Sequence, residues 1–291
     1  MQQQYSMIHS IVDEKHRLVM LFTPKAGCTR AVIMMFKHMG LLDEARAYSP
    51  WVHDYRERCK FVIHPQSHLY SGDYFVFKVV RNPYDRVVSS FINAVEYCQW
   101  KYTNSNSDCP LLKNPTFVQF LELLDKTNFF TEGYVESHLY HHSGPQYVPG
   151  EEKYVRKYVR IENGQADVDE INRKCGTTLD IENVDPALLP HHQKRSLTTL
   201  VSDLGNVPFN QLPRPLPTSY SAFYADPRAR ALVERLFAND ILRYGYSFYT
   251  QEQAQAQTRA AGAGICADTS ASAGAGANAG THDNTVHASK C

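Results

Sequence analysis

The sequence predicts an α/β fold of three layers, in which a central parallel sheet is flanked by helices. Short, wholly apolar runs are typical of strands that are buried on both faces. Each such run is followed by a loop and then by a helical pattern of apolar residues, as in repeated strand–loop–helix units. The helical patterns also carry capping signals at their ends. Ligands of such folds bind at the carboxyl ends of the strands, so the loops there are where functional residues are expected.

The first strand–helix unit lies near the N-terminus. Residues 18–22, LVMLF, predict a buried strand because five apolar residues follow one another. After a short loop, the segment TRAVIMMFKHMG predicts a helix that ends at Gly40. Its apolar stripe consists of Val32, Met35, Phe36 and Met39.

The second unit combines residues 75–80, FVFKVV, with the helix that follows them. Asn82 is the expected N-cap, Pro83 suits the first helical position, and Asp85 complements the helix dipole in the first turn. The expected buried face of this helix consists of Val88, Phe91, Ile92 and Val95.

A third strand is predicted at residues 157–163, KYVRIEN, and one last helix at the end of the domain. That helix is expected to start after the cap Asp226 and Pro227 and to stop at Gly245. We place the folded domain at residues 1–250. Residues 251–291 are rich in Ala, Gly, Ser and Gln, a composition that predicts a disordered tail.

Composition limits the partners and the compartment. Thirty basic and thirty acidic residues balance, so no overall field recruits nucleic acid. No apolar run approaches the roughly 20 residues of a membrane span, and no signal-peptide core is visible. We therefore expect a cytoplasmic protein as given, or one in the Golgi lumen if the sequence belongs to a longer, anchored chain. Cys98 and Cys109 could pair in an oxidising compartment, although the usual compartment argument favours reduced thiols.

The loop after the first strand, PKAGCTR at residues 24–30, has the features of an anion site. A helix N-terminus offers unpaired N–H groups and a partial positive charge. Gly27 allows close approach of the backbone, Lys25 adds a mobile charge, and Thr29 adds a hydroxyl. An ATP-binding loop would read GxxxxGK[ST], and that order is absent here. Taken alone, the loop is equally well interpreted as an ordinary turn with a surface lysine.

A second loop follows the second strand. Arg81 stands at the strand end, where its guanidinium could fork onto a phosphate. Ser89 lies two turns into the following helix, and Arg86 is expected beside it on the helix surface, three residues earlier. Taken alone, this segment also fits a capped helix with a solvated arginine.

Together, TPKAGCT and FKVVRNPYDRVVSS resemble the two cofactor motifs of sulfotransferases, especially those of the carbohydrate (family 2) branch. Four later segments resemble the same family: ESHLYHHSGPQY, YVRIEN, LPHHQKRS and YADPRARALVERLFANDILRYGY. The resemblance implies a P-loop-like fold and an enzyme that moves a sulfuryl group from 3′-phosphoadenosine 5′-phosphosulfate (PAPS) to a hydroxyl or amine. The expected acceptor is a carbohydrate or other small hydroxylated metabolite.

The resemblance also implies roles for individual residues. The loop that would hold the 5′-phosphosulfate comprises Lys25, Ala26, Gly27, Cys28, Thr29 and Arg30. Arg30 departs from the family, in which many members have a small polar residue there. Arg81 and Ser89 would hold the 3′-phosphate, and Lys194 and Ser196 would close over the nucleotide. No metal is expected, because the lysine and the helix terminus supply the positive charge.

A hydroxyl acceptor also needs a general base. His64 is the first candidate, since it resembles the family histidine placed ahead of the second strand, and His68 and His138 are the alternatives. The segment EYCQWKYTNSNSDC, with Trp100 and Tyr102, is a candidate acceptor-binding loop.

Two other functions remain open from the sequence. The first is a P-loop nucleotide kinase or related phosphotransferase, which the missing GK[ST] order disfavours. The second is a non-catalytic module that keeps the nucleotide site and recruits partners. The sequence fixes neither the acceptor nor the oligomeric state.

Overall fold

The fold is α/β, with a four-stranded, mostly parallel sheet flanked by helices, as the sequence predicts. The computed structural model describes residues 8–59, 66–102, 109–127, 142–185, 203–216 and 220–248. The strands are β1 (His9–Asp13), β2 (Leu18–Phe22), β3 (Phe75–Val80) and β4 (Lys157–Arg160). They lie side by side in the order β1-β2-β3-β4, with β1 antiparallel to β2 and the other pairs parallel. The predicted tail lies outside the described residues.

The helices of the described residues are numbered in chain order. They are α1 (Cys28–Met39), α2 (Leu42–Tyr48), α3 (Val52–Arg58), α4 (Gln66–Tyr70), α5 (Pro83–Tyr102), α6 (Phe117–Thr127), α7 (Gly164–Cys175), α8 (Pro227–Leu236) and α9 (Ala238–Tyr244). Short 3-10 turns occur at Pro110–Lys113, Glu151–Lys153, Phe209–Gln211 and Ser221–Tyr224. None of these helices combines the length and apolar character that crossing a bilayer requires.

Alternate residues of the central strands face different packing partners, because side chains of a strand point to opposite faces. Met20 and Phe77 pack in a core with residues of α1, α3 and α7. Val19 and Val76 face the other side, where Tyr154 covers them. All five residues of β2 are buried, which is why its sequence is an unbroken apolar run.

The predicted helix ends are confirmed by their hydrogen bonds and backbone angles. The amide of Tyr84 donates to Asn82 Oδ1 at 3.0 Å, and the amide of Arg228 donates to Asp226 Oδ1 at 2.9 Å. Gly40 and Gly245 close α1 and α9 in the left-handed conformation that favours glycine.

Strand β1 was not predicted from the sequence. Its sequence, HSIVD, combines polar and apolar residues and is only partly buried, as suits a strand at a sheet edge. A strand of this kind is recognisable mainly through its antiparallel partner β2, with which it forms a hairpin. The predicted third strand is also shorter than expected, since β4 ends at Arg160.

Helix α5 is longer than the sequence analysis expected. It runs on to Tyr102, so Trp100 and Tyr102 lie on a helix and not in a loop, while residues 103–108 of this segment lie outside the described residues. Acceptor binding by this segment stays a prediction. The chain contains neither glycine nor proline between Pro83 and Pro110, and nothing in this stretch stops the helix early. Cys98 of α5 lies beside Cys109, where the two sulfur atoms are hydrogen-bonded at 3.8 Å and not joined in a disulfide.

The single C-terminal helix that the sequence predicted is divided in two. The break falls at Phe237, whose side chain is buried in the core that α5, α6 and α8 share. Its backbone leaves the helical region, and α9 then runs in a direction that buries Asp240 and Tyr244. Burial of one aromatic ring thus outweighs the continuous helical pattern of the sequence.

Candidate functional site

The site begins with the loop between β2 and α1. Lys25 and Gly27 both have positive φ angles, 65° and 81°, and the amide of Ala26 donates to the carbonyl of Thr23 at 3.3 Å. Helix α1 starts at Cys28 without a side-chain cap and without an acidic residue in its first turn. Its N-terminal amides and the positive end of its dipole therefore suit an anion.

Gly27 is required here for two reasons. An alanine at φ 81° would sit in the left-handed region, which L-residues with a Cβ seldom adopt. A Cβ would also lie 2.7 Å from Cγ1 of Ile161, the residue that follows β4. The loop of residues 24–30, called the anion loop below, is therefore closely packed against the end of β4.

We expect Gly27→Ala to lower the free energy of unfolding by more than Gly40→Ala does. Gly40 has a similar φ of 70° at the other end of α1 but no atom near its would-be Cβ, so it shows the cost of the backbone angle alone, about 1–2 kcal/mol. The excess for Gly27→Ala should shrink when Ile161→Ala is added, because that change removes the clashing atoms. Urea unfolding of five proteins measures these losses: the unchanged protein, Gly27→Ala, Gly40→Ala, Ile161→Ala and the double variant Gly27→Ala/Ile161→Ala. Equal losses for the two glycine variants would contradict the packing argument.

Two arginines join this loop to the end of β3. Arg81 Nη1 donates to the carbonyl of Lys25 at 3.1 Å. Arg86 Nε donates to the carbonyl of Pro24 at 3.0 Å and its Nη1 to the carbonyl of Gly144 at 2.7 Å. Arg86 is buried, so the expectation that it would lie beside Ser89 on the helix surface is wrong. Burial lowers the pKa of Arg86 to about 10.

Ser89 and Ser90 point to different surroundings on α5. Ser89 is half-buried, whereas Ser90 is fully buried and donates to the carbonyls of Arg86 and His142 at 3.1 and 2.6 Å. Ser89 lies about 9 Å along the helix axis from Pro83, since each residue rises 1.5 Å. Ser89 is therefore the hydroxyl of this pair that a ligand can reach.

A glutamine fixes the backbone of Arg81. Gln146 Oε1 accepts from the amide of Arg81 at 2.9 Å, and its Nε2 donates to the carbonyl of Arg81 at 2.7 Å. The buried carboxylate of Asp240 holds Gln146 in turn, accepting from the amides of Gln146 and Tyr147, both at 2.8 Å. In the sequence, Gln146 stands out only as part of the segment ESHLYHHSGPQY, which resembles the family. Asp240 was missed, because its only signal is one acidic residue at a buried position of a helix.

A buried ion pair, Lys78 with Glu151, also holds the segment that contains Gln146. Lys78, in the middle of β3, donates to Glu151, to the carbonyl of Gln146 and to the hydroxyl of Tyr244. Tyr244 itself donates to the second oxygen of Glu151 at 2.7 Å, so both carboxylate oxygens are satisfied. A buried pair of this kind stabilises a unique arrangement only when its hydrogen bonds are complete, as they are here. Burial raises the pKa of Tyr244, which keeps its hydroxyl protonated.

Positive charge accumulates around the loop. Burial lowers the pKa of Lys25, and the nearby guanidinium groups of Arg81 and Arg86 lower it further. Arg30 is half-buried in the first turn of α1. Arg56 of α3 is buried over the ring of Phe22, at 5.5 Å, and its Nε has no acceptor among the described residues. An anion bound at this loop would offset the mutual repulsion of Lys25, Arg30, Arg81 and Arg86.

Sequence reasoning gave no role to Arg56 or to His53. Both lie on α3, and Nε2 of His53 is 3.3 Å from the hydroxyl of Thr29 in the first turn of α1. The short sequence VHDYRER gives no signal beyond a helical pattern, so only the packing of α3 against α1 reveals them.

Most of the predicted cofactor-binding residues lie close together in the structure. Other predicted site residues lie elsewhere or outside the described residues. The loop residues 25–30 and Arg81 meet at the carboxyl ends of β2 and β3. His64, His138, Lys194 and Ser196 lie outside the described residues. His68 lies at the opposite end of the sheet, where it contacts Glu14 at 3.0 Å and the ring of Tyr74 just before β3. The length of β3 separates it from Arg81 by about 20 Å, too far for a role as base at this loop.

The chain was compared with known protein families, and the result agrees with the geometry of the loop and Arg81. A family model described as "Sulfotransferase family" matches residues 8–247. Comparison with curated proteins and with solved structures gave no match. The matched region spans β1 to the end of α9 and includes the anion loop, Arg81 and the Gln146–Asp240 brace. The chain therefore belongs to the sulfotransferase family, whose reaction is the transfer of a sulfuryl group.

Proposed function

We propose that the protein transfers a sulfuryl group from PAPS to a hydroxyl of a carbohydrate or other small hydroxylated metabolite. The observation that carries this proposal is the hydrogen bond of Arg81 to the carbonyl of Lys25. It places a second cationic group directly beside the uncapped N-terminus of α1. A nucleotide with phosphates at both its 5′ and 3′ positions needs two such anion-binding groups within one site.

The loop residues 25–30 would bind the 5′-phosphosulfate through backbone N–H groups, the lysine ammonium and the Thr29 hydroxyl. Arg81 and Ser89 would bind the 3′-phosphate, with Arg81 held in place by Gln146. Lys194 and Ser196 would close over the nucleotide, in keeping with the basic sequence around them.

In the transfer step, the acceptor oxygen attacks sulfur, and the bond from sulfur to the bridging oxygen of the 5′-phosphate breaks. Lys25 and the loop amides stabilise the negative charge that builds on that oxygen, and they are held in place before the reaction. This positive charge supplies what a metal ion supplies in many phosphoryl-transfer enzymes.

A base must take the proton of the acceptor hydroxyl, a contribution of about 10²–10⁴-fold in rate. We assign this role to His64, with His138 as the alternative. The position of His68 at the other end of the sheet favours this choice.

Thermal unfolding with different nucleotides tests the proposal. We expect 3′-phosphoadenosine 5′-phosphate to stabilise the folded protein by about 2.7 kcal/mol at a hundredfold excess over its dissociation constant. Adenosine 5′-phosphate, which lacks the 3′-phosphate, should stabilise it less. Stabilisation by ATP with magnesium and not by the bisphosphate would instead indicate a nucleotide kinase. Bisphosphate binding without transfer to any of a panel of glycans and hydroxylated metabolites would indicate a non-catalytic module.

A further inference from the structure

A cluster of two histidines and one aspartate lies at the other end of α1, about 18 Å from the anion loop by the length of the helix. Asp13 is the last residue of β1, His16 lies in the turn between β1 and β2, and His38 belongs to the last turn of α1. No role in the proposed transfer reaction falls to any of the three.

Three polar atoms of this cluster converge. Asp13 Oδ2 is 2.8 Å from His16 Nδ1 and 3.1 Å from His38 Nε2, and the two nitrogens are 3.2 Å apart. The atoms thus form a nearly equilateral triangle.

While the carboxyl of Asp13 is ionised, protons on the two rings cannot make all three contacts favourable. Each nitrogen needs a proton to donate to the carboxylate oxygen, but the contact between the two nitrogens is favourable only if one of them lacks a proton. With an ionised carboxylate, every assignment of protons to the two nitrogens therefore leaves at least one repulsive contact. A cation bound to the three lone pairs would remove the conflict.

The spacing matches that of metal ligands. With metal–ligand bonds of about 2.0–2.1 Å, adjacent ligand atoms are about 2.9 Å apart in an octahedron and about 3.3 Å apart in a tetrahedron. The three observed distances, 2.8, 3.1 and 3.2 Å, fall at or close to this range. The side chains would need only small shifts to bind an ion.

Neighbouring groups already orient two of the ligands. Asp13 Oδ1 accepts from the amides of Lys15 and His16 at 3.0 and 3.2 Å, which leaves Oδ2 for the triangle. His38 Nδ1 lies 3.1 Å from the hydroxyl of Thr178 and accepts from the amide of Thr178 at 3.3 Å, and these contacts fix the ring and direct Nε2 toward Asp13. With a metal ion on Nε2, the proton would move to Nδ1 and be donated to the Thr178 hydroxyl, and the contact with the amide would have to lengthen. Hydrogen bonds of this kind from outside the ligand shell are typical of metal sites.

The exposure of the three side chains leaves room for a further ligand. Asp13 and His38 are 4% and 3% exposed, whereas His16 is 23% exposed. One side of the triangle thus faces solvent, where a water molecule could complete the coordination. Two imidazoles and one carboxylate suit Zn²⁺ and similar first-row divalent ions better than Mg²⁺ or Ca²⁺.

We propose that Asp13, His16 and His38 bind a divalent transition-metal ion, which links the β1–β2 turn to the end of α1. The proposal concerns a site remote from the anion loop and does not depend on the proposed transfer reaction. The absence of a metal expected from the sequence concerned the transfer site and cysteine motifs, whereas these three ligands are dispersed over 26 residues of the chain and form no motif.

The test is zinc binding by the full-length chain without an affinity tag, after removal of metal with a chelator. Zn²⁺ should bind at one equivalent per chain in competition with a chromophoric chelator. Co²⁺ should give the visible absorption of a nitrogen- and oxygen-coordinated ion. Asp13→Asn, His16→Gln and His38→Gln should each weaken binding about tenfold or more.

His68→Gln is the matched control, because His68 pairs with a single carboxylate, that of Glu14, outside the cluster. It should bind zinc as the unchanged protein does. His16 is the most exposed ligand, so His16→Gln should fold normally, which a circular dichroism melt verifies. Unchanged affinity in His16→Gln, or the absence of a bound equivalent in the unchanged protein, would overturn the proposal.

Discussion

Replacing Lys25 with alanine should lower the turnover number by about 10²–10³-fold and leave the fold intact. Removal of one preorganised donor to a developing negative charge typically has an effect of this size. The link to Arg81 should survive, because it uses the backbone carbonyl of Lys25 and not its side chain. Because alanine and lysine both have a Cβ, the backbone strain at φ 65° is the same for either residue at position 25. The change therefore isolates the loss of the ammonium group.

Lys37→Ala is the control for this prediction. Lys37 lies on α1, the helix that follows the loop of Lys25; it is exposed, with its Nζ 3.7 Å from Asp180, and its removal changes the net charge equally. Initial rates at saturating donor should fall for Lys25→Ala and stay unchanged for Lys37→Ala, while both variants unfold at nearly the temperature of the unchanged protein. Undiminished turnover in Lys25→Ala would remove this residue from the mechanism.

Arg81→Ala should weaken the binding of 3′-phosphoadenosine 5′-phosphate by about 10–100-fold, because a hydrogen bond to a charged group contributes about 1.5–3 kcal/mol. The variant also loses the contact with the carbonyl of Lys25, a loss that affects every nucleotide held by the loop. A second ligand is therefore needed to separate the two effects.

Adenosine 5′-phosphosulfate is that ligand, since it lacks the 3′-phosphate. Calorimetric titration of both nucleotides should show a much larger loss for the bisphosphate. Arg81→Lys, which keeps the charge but not the forked guanidinium, should give an intermediate loss. If the affinities for the two nucleotides fall by the same factor, Arg81 does not bind the 3′-phosphate.

The parts of the fold that the sequence predicted are those that local chemistry determines. β2 follows from an unbroken apolar run and β3 from an apolar run that only Lys78 interrupts, and the end of α1 and the start of α5 follow from Gly40 and Asn82. The division of the last helix at Phe237 could not be predicted, because it depends on a core assembled from distant segments.

The same distinction holds for the site. The proximity of Arg81 to the loop of Lys25 could be predicted, because the carboxyl ends of parallel strands lie at one edge of a sheet. The brace by Gln146 and Asp240 does not follow from any local pattern, because these residues meet Arg81 only after the chain has folded. Arg86 was misplaced for a similar reason, since its partners are the carbonyls of two separate loops.

The brace on Arg81 also bears on the order in which the protein folds. Gln146 is 65 residues from Arg81 in the chain, and Asp240 is 94 residues further on. Contacts between such distant segments form slowly, because long loops must close first. During synthesis, the loop near the N-terminus emerges long before Asp240 does. The nascent chain therefore cannot hold Arg81 in this arrangement until the ribosome has made nearly the whole domain.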